Sequence, residues 1–351
     1  MDTHAHLARP AQGFAALERD ASLTPFPFSR RTLRPHDVAM DVLFCGICHT
    51  DLHFIGPWGQ EFPLVPGHEI IGRVTETGSE ASKFNPGDLV AVSVMVDSCR
   101  DCGPCHAQDE IYCEHGPTST YDSIDRVDGV RLRGGFADTF LADERFVYRL
   151  PDGLDPAGAA PLLCAGVTSF SPLRHWNVGP GQTVGIAGIG GLGHLGVKFA
   201  RALGAHVIAF TSSTAKAVDA LKLGAHEAVM SSDPAAMAAV QNRCDFILDT
   251  IPATHDVDPF LAALRYNGVL CVVGVPDQVT PSPYVLSAGR RSIAGSGAGG
   301  TRETQAMLDF CAEHGITAEV EIVGKSEINV ALDRLRRNDV RFRFVLDLNR
   351  N

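Results

Sequence analysis

The chain has 351 residues, more than one typical domain holds, so two domains are expected. Its 45% apolar and 20% charged residues are ordinary for a folded protein and exclude a disordered one. The formal charge of −11 excludes a protein that coats nucleic acid or an anionic membrane, because phosphate binding needs clustered positive charge.

The N-terminal stretch MDTHAHLARPAQGFAALERD scatters its charges and has no apolar core. It does not read as a secretory signal, and no apolar run reaches the roughly 18 residues of a membrane span. A cytoplasmic protein without a membrane partner is expected. In a reducing compartment the ten cysteines are not expected to form disulfides.

Residues 1 to about 150 are rich in Gly, Pro and short β-like runs. These runs are Val38–Phe44, Ile70–Thr75 and Leu89–Val96, the last entered through the turn signal Asn85-Pro86-Gly87-Asp88. After the first run stands Cys45-Gly46-Ile47-Cys48-His49-Thr50-Asp51-Leu52-His53, and Pro66-Gly67-His68-Glu69 follows. Further on, SCRDCGPCHAQDEIYC carries Cys99, Cys102, Cys105 and Cys113. The spacing C-x2-C-x2-C-x7-C lets four thiolates converge on one ion in a closed tetrahedral site, with Gly103-Pro104 favouring a tight turn between two of them. A ferredoxin-type iron–sulfur run begins alike, but its fourth cysteine follows after three residues and precedes a proline. Here the fourth follows after seven and precedes Glu114, which favours a structural zinc.

Pro161-Leu162-Leu163-Cys164-Ala165-Gly166 supplies one more thiol. A catalytic zinc takes three protein ligands and keeps an open position, and two cysteines with one histidine are a known set. Cys48, His68 and Cys164 would supply it, although each alone is more often a core or surface residue than a ligand.

From about 155 to 295 the texture changes to apolar strands alternating with amphipathic helices. TVGIAG is followed by a helix to Leu203, HVIAF, a helix over Thr214–Leu223, EAVM, DFILD, GVLCVVG and SIAGS. Such alternation implies a parallel sheet covered on both faces. Gly204 and Gly224 stand where helix C-caps belong. Gly188-Ile189-Gly190-Gly191-Leu192-Gly193 fits G-x-G-x-x-G between a strand and a helix. In that context the glycines let backbone N–H groups approach a pyrophosphate at the helix N-terminus. A carboxylate about 20 residues on would bind an adenosine ribose. No acid occurs between His206 and Val218. Ser212, Ser213 and Lys216 suit a 2′-phosphate instead, so NADP(H) is the expected dinucleotide. The plain alternative is that Thr214 caps the next helix and Lys216 is solvated. The chain closes with a helix from about Arg302 to Glu313, ended by Gly315, and an alternating strand in VRFRFVLDL.

CGICHTDLH, VPGHE, NPGDLV, the four-cysteine lobe, PLLCAG, GIGGLGHLG and DVRFRFV together resemble the zinc-dependent medium-chain alcohol dehydrogenases, within them the cinnamyl alcohol dehydrogenase group. The resemblance runs from about residue 26 to 349. It implies an α/β fold in which a GroES-like, β-rich catalytic domain (1–155 plus 296–351) is interrupted by a Rossmann doubly wound parallel sheet (156–295). The active site of that family lies in the cleft between the two. The resemblance implies two zinc ions per chain. Cys48, His68 and Cys164 would bind the catalytic ion, with Glu69 able to approach it, and Cys45 would not be a ligand. Cys99, Cys102, Cys105 and Cys113 would bind the structural ion. Thr50 would pass the alcohol proton outward towards His53. Asp51 would accept a hydrogen bond from His68, and His49 would lie near the pyrophosphate.

The activity implied is interconversion of primary alcohols and aldehydes, of cinnamyl, benzyl or medium-chain type, by hydride transfer with NADP(H). Cells keep NADP mostly reduced, which favours aldehyde reduction. A small-molecule substrate and a homodimer or homotetramer are implied as partners. An NAD-dependent zinc dehydrogenase of short alcohols or polyols is the nearest rival, opposed by the missing acid at Ser212. A zinc-free enone reductase would not need the whole ligand set, and a non-catalytic dinucleotide sensor would not need Thr50 beside it. One stretch departs from the plant enzymes of this group. Phe54-Ile55-Gly56-Pro57-Trp58 is apolar where they carry a polar stretch ending in an acid. Trp58 either packs within its loop or lines a substrate entrance, and the proton exit beyond His53 stays open.

Overall fold

Residues 9–351 are described by the computed structural model. Residues 1–8, the start of the stretch that does not read as a secretory signal, lie outside the described residues. Packing divides the chain into Met1–Cys164 with Gly299–Asn351, and Ala165–Ala298. The boundaries expected from the sequence are 155/156 and 295/296, against 164/165 and 298/299 in the structure. Residues 156–164 belong with the first unit because they are packed into it: Ala159, Ala160, Leu162 and Leu163 are fully buried, and the Ser93 hydroxyl donates to the Leu163 carbonyl.

The first unit opens with β1 (Arg9–Ala15), β2 (Thr24–Arg30), β3 (Asp37–Ile47), α1 (His49–Ile55) and β4 (Ile70–Thr77). It continues with β5 (Leu89–Val92), β6 (Met95–Asp97), α2 (Gly103–His106), β7 (Thr118–Ser119), β8 (Thr139–Asp143), β9 (Val147–Arg149) and α3 (Pro156–Ala159). The second unit contributes α4 (Ala165–His175), β10 (Thr183–Ala187), α5 (Gly193–Ala202), β11 (His206–Thr211), α6 (Thr214–Lys222) and β12 (Glu227–Met230). It ends with α7 (Pro234–Ala238), β13 (Cys244–Asp249), α8 (Asp258–Ala263), β14 (Leu264–Val272), α9 (Pro283–Gly289) and β15 (Ser292–Gly295). The chain then returns to the first unit through α10 (Thr301–His314), β16 (Val320–Val323), α11 (Ile328–Arg336) and β17 (Arg343–Asp347).

In the first unit the main sheet runs β16-β17-β3-β4-β5-β9, with β8 also paired to β3. Its core is built on Met40, Ile47, Ile70, Phe136 and Phe344. Two sequence expectations are corrected here. The run Leu89–Val96 is two strands, because Ser93 leaves the ladder: its hydroxyl donates to Leu163, and its carbonyl accepts from Thr120 Oγ1 at 2.5 Å. The closing strand does not alternate. Arg343, Phe344, Val345 and Leu346 are all buried, because β17 lies inside the sheet, parallel to β16 and antiparallel to β3.

The second unit is a six-stranded sheet in the order β12-β11-β10-β13-β14-β15. Every pairing is parallel, with helices in the connections. This is the doubly wound arrangement that binds ligands at the carboxyl ends of its strands. Gly204 and Gly224 close α5 and α6 in left-handed backbone, as their sequence positions predict. Among the described residues no helix is long and apolar enough to cross a membrane.

Candidate active site and dinucleotide loop

Two segments of the first unit meet at Asp51. The strand β3 runs directly into α1, with Cys48 as the N-cap, and the Asp51 carboxylate accepts the Cys48 N–H at 2.9 Å. Its other oxygen accepts the Gly67 N–H at 3.0 Å and the Tyr121 hydroxyl at 2.7 Å. Gly67 has φ +102°, and any Cβ there would meet Phe136 and the Cys45 sulfur below 3 Å. That backbone swings His68 towards Cys48, and Cys164 arrives from the end of the turn 160–163. The ligand atoms of Cys48, His68, Glu69 and Cys164 all lie within 4.8 Å of one another. The two sulfurs are 3.9 Å apart, and His68 Nδ1 lies 3.3 Å from Asp51 Oδ1 without hydrogen-bond alignment. Cys45 points elsewhere, to the Gly46 carbonyl.

The electrostatics are those of a cation site. Cys48 is held well below the usual thiol range by the hydrogen bond with Cys164, aided by Arg343 and His68, while the same contact and burial push Cys164 up. Burial works against a charge on His68, but the Asp51 carboxylate and the Cys48 sulfur outweigh it and raise its pKa. Burial pushes Glu69 up to about 7 although the Arg343 guanidinium is paired with it. Both ring nitrogens of His68 and one oxygen of Glu69 are buried without a hydrogen-bond partner. Buried polar groups of this kind are normally satisfied, and a metal ion bound by one His68 nitrogen would leave Nδ1 to Asp51. Two thiols, an imidazole and a nearby carboxylate fit a zinc with room for one further ligand.

Sequence reasoning missed two residues of this site. Arg343 shows itself only as a cation within the apolar strand DVRFRFV. Tyr121 carries no local signal, since it reaches Asp51 from 70 residues away. Gly46 has a steric reason: a Cβ there would come within 1.8 Å of Glu69 Oε2.

Thr50, on the first turn of α1, places its hydroxyl 3.5 Å from the Cys48 sulfur. His49 and His53 are exposed on the same helix. The Trp58 ring stacks on the His53 imidazole, centroids 4.4 Å apart and planes 22° apart, with Phe54 edge-on to it at 5.8 Å. Trp58 is therefore neither a core residue nor isolated: it is 45% exposed and covers His53.

The lobe cysteines converge as their spacing predicts. Their four sulfurs lie within 4.8 Å of one another, and all are free thiols. Gly103-Pro104 does not make a tight turn but opens the short helix α2, with Cys102 as its N-cap and Pro104 in the first turn, where its missing N–H costs nothing. Backbone N–H groups of Cys99 and Glu114 donate to the Cys113 and Cys102 sulfurs at 3.4 Å, the polarity a thiolate needs. The buried Glu110 ties the lobe to α10 by accepting the N–H and hydroxyl of Thr301, each at 2.9 Å.

In the second unit the glycines of the loop have separate reasons. Gly188 has φ +84° and donates to the Phe210 carbonyl at 3.0 Å. A Cβ on Gly193 would lie 1.9 Å from the Gly188 carbonyl. Gly190 has no steric reason inside the protein, because a Cβ there meets nothing within 4 Å, which leaves that side of the loop clear for a ligand to approach the backbone. Gly191 and Leu192 are half-buried beside it, Leu192 accepting the Ser169 hydroxyl at 3.1 Å. At the end of β11, α6 is capped by Ser213 and not by Thr214: Ser213 Oγ accepts the Lys216 N–H at 3.4 Å. The cap uses a lone pair, so the Ser213 proton remains free to donate. Ser212 and Lys216 are exposed.

The alcohol dehydrogenase GroES-like domain model matches residues 34–152, and the zinc-binding dehydrogenase model matches residues 191–313. The chain is 49% identical over 322 residues to a Bacillus subtilis (strain 168) protein named probable formaldehyde dehydrogenase AdhA, covering 91% of this chain and 92% of that one. It is 48% identical over 330 residues to the aldehyde reductase YahK of Escherichia coli (strain K12), covering 93% and 94%. Among solved structures, cinnamyl alcohol dehydrogenase SbCAD4 of Sorghum bicolor superposes with a TM-score of 0.93 at 44% identity, covering 97% of this chain and 98% of that one. The Helicobacter pylori enzyme described as CAD complexed with NADP(H) gives 0.90 at 37% identity, covering 97% and 99%. With both halves matched and the likeness spanning nearly the whole length, the chain belongs to the zinc-binding alcohol dehydrogenases, the family that includes the cinnamyl alcohol dehydrogenases.

Proposed function

We propose that the protein is an NADP(H)-dependent aldehyde reductase of aromatic or medium-chain aldehydes, working reversibly on the corresponding primary alcohols. The observation that carries the reaction is the convergence of Cys48, His68 and Cys164, with buried nitrogens that the protein leaves unmatched. When bound, zinc supplies a Lewis acid for the substrate oxygen and the nicotinamide supplies or accepts hydride. Cys48, His68 and Cys164 would hold the metal, with Glu69 kept in reserve by Arg343. Asp51 orients His68, and the Thr50 hydroxyl, beside the Cys48 sulfur, delivers the proton that the product alcohol oxygen needs. His53, exposed on the same helix, exchanges that proton with solvent beneath Trp58. The four-cysteine lobe would hold a second zinc that orders residues 97–115.

The coenzyme preference rests on the end of β11. A carboxylate there would repel the roughly −1.5 to −2 charge of a phosphate monoester. Ser212 and Ser213 offer hydroxyls and Lys216 a positive charge, and the Helicobacter pylori relative was solved with NADP(H). A net preference of about 2–3 kcal/mol corresponds to roughly 30- to 150-fold in kcat/KM for NADPH over NADH. The test is steady-state reduction of benzaldehyde with each coenzyme, in wild type and in Ser212→Asp. The variant should shrink or invert the ratio, mainly by weakening NADPH. Equal use of both coenzymes by the wild type, or a preference that survives Ser212→Asp, would overturn the assignment. The edge strand β15 has a single strand neighbour, β14, and supports the further reading that two copies pair there.

A further inference from the structure

In the first unit a cavity of about 610 Å³ lies between the end of β2, β6, the stretch 125–133 and β8. That is within the size of pockets that hold small molecules. Cys48, His68, Glu69 and Cys164 do not line it, so it is separate from the cluster described above. Much of the charge on its walls is matched within the protein. Arg31 pairs with Asp37, and Arg34 holds both oxygens of Asp125 at 3.0 and 2.9 Å. Arg100 reaches Asp97 at 2.8 Å and Asp143 at 2.9 Å, and Arg131 reaches Asp122 at 2.6 Å. The buried Arg30 donates instead to the carbonyls of Thr139, Arg133 and Gly134 at 2.9, 2.6 and 2.8 Å. Arg126 donates to the Thr118 hydroxyl and to the carbonyls of His115 and Gly116.

Arg133 differs. It pairs with no carboxylate among the described residues, and its Nε is buried without a hydrogen-bond partner. A buried donor is normally satisfied, and a guanidinium offers its donors as a planar fork matched to a carboxylate. Its Cζ lies 5.4 Å from the centre of the Phe28 ring and 5.9 Å from that of Phe26. Arg30 lies over Phe28 at 4.9 Å and over Phe140 at 4.7 Å. Two guanidiniums therefore crowd one ring. Burial lowers the Arg30 pKa to about 9; Asp138 opposes this, and the guanidiniums of Arg133 and Arg31 add to it. An anion at Arg133 would relieve that crowding. The rest of the lining restricts the kind of anion. Val96, Leu132, Phe140 and Leu141 give the cavity an apolar wall, which a bare inorganic ion would leave uncovered. Asp37, Asp97, Asp125 and Asp143 line the same space and repel a polyanion such as a nucleotide. One unmatched fork beside apolar and aromatic surface suits a single carboxylate on a flat apolar body.

We propose that this cavity is a second small-molecule site, which takes an aromatic monocarboxylate with its charge on the Arg133 guanidinium and its ring among Phe28, Phe140 and Leu141. The inference does not depend on the oxidoreductase reading. It is tested by calorimetric titration of the full-length, zinc-loaded protein with benzoate. Benzoate should bind with similar affinity to wild type and to Cys164→Ala, in which the catalytic cluster is broken. Arg133→Met keeps an unbranched stem against Phe26 and Phe28 and removes the fork. It should bind benzoate at least about tenfold more weakly, the factor that about 1.4 kcal/mol carries. Arg133→Lys keeps a charge without the fork and should fall between the two, so the test stands even if the uncharged variant is unstable. Benzamide has the ring without the charge, and inorganic phosphate the charge without the ring. Each should bind wild type at least about tenfold more weakly than benzoate. The proposal is overturned by no benzoate binding to wild type, by loss of binding in Cys164→Ala, or by wild-type affinity in the Arg133 variants. Phosphate bound as tightly as benzoate would overturn it as well.

Discussion

Asp51 accepts the Cys48 N–H, the Gly67 N–H and the Tyr121 hydroxyl, and it also faces His68. A single carboxylate thus sets both the start of α1 and the loop that presents His68. Groups that orient metal-bound histidines commonly change metal affinity by about 10- to 100-fold when removed. Tyr121→Phe keeps the ring against Phe54 and deletes one of the three hydrogen bonds to Asp51. It should weaken zinc at the Cys48 site about tenfold in chelator competition, with the melting temperature little changed. Thr50→Ala is the complementary test, since it removes a proton carrier and no ligand. Turnover should drop by about 10²- to 10⁴-fold, the usual weight of general acid–base help, while zinc content and NADPH binding persist. Undiminished turnover in Thr50→Ala would show that the proton travels by another route. The motifs that carry Thr50 and His68 were legible because each is contiguous in the sequence. The part of Tyr121 was not, because a tyrosine in a loop carries no mark of the carboxylate it will meet.

The elements were legible where hydrophobic period and turn chemistry agree. The strands β10 to β15 and the caps Gly204, Gly224 and Gly315 fall where the sequence places them. The break at Ser93 and the full burial of β17 did not show, because both depend on what lies against the strand. In the lobe, α2 and the loop around it exist to gather four sulfurs. Metal binding at such a site is also folding free energy. Cys102→Ser should therefore lose one zinc per chain and several degrees of Tm, and unchanged values of both would remove its structural role. At the start of β12, Glu227 is held at about 2 by its hydrogen bonds with Arg243, and His206 adds to this. Its folded value lies below the ordinary 4.5, so its contribution is present above that pH and is lost as pH falls from 4.5 towards about 2. Glu227→Gln should lower Tm slightly at neutral pH, as surface pairs do, and the gap from wild type should narrow in scans below about pH 4.

For the whole molecule, the two clusters imply two zinc ions per chain, measurable by metal analysis of protein purified without chelator. Cys164→Ala should retain one, in the lobe, and lose alcohol dehydrogenase activity. A single ion in the wild type would contradict the pair of sites. By itself the sequence determined the doubly wound sheet, the β-rich character of the first unit, the glycine loop and the spacing of the four lobe cysteines. Each of these is written in local period or in short spacing, where neighbours along the chain are neighbours in space. Only the tertiary structure decided that Arg343 pairs with Glu69 and that Trp58 lies over His53. Only it decided that Ser213 rather than Thr214 caps α6. Those outcomes depend on side-chain directions and on burial. Burial is a property of whatever packs against a residue, and no stretch of sequence states it on its own.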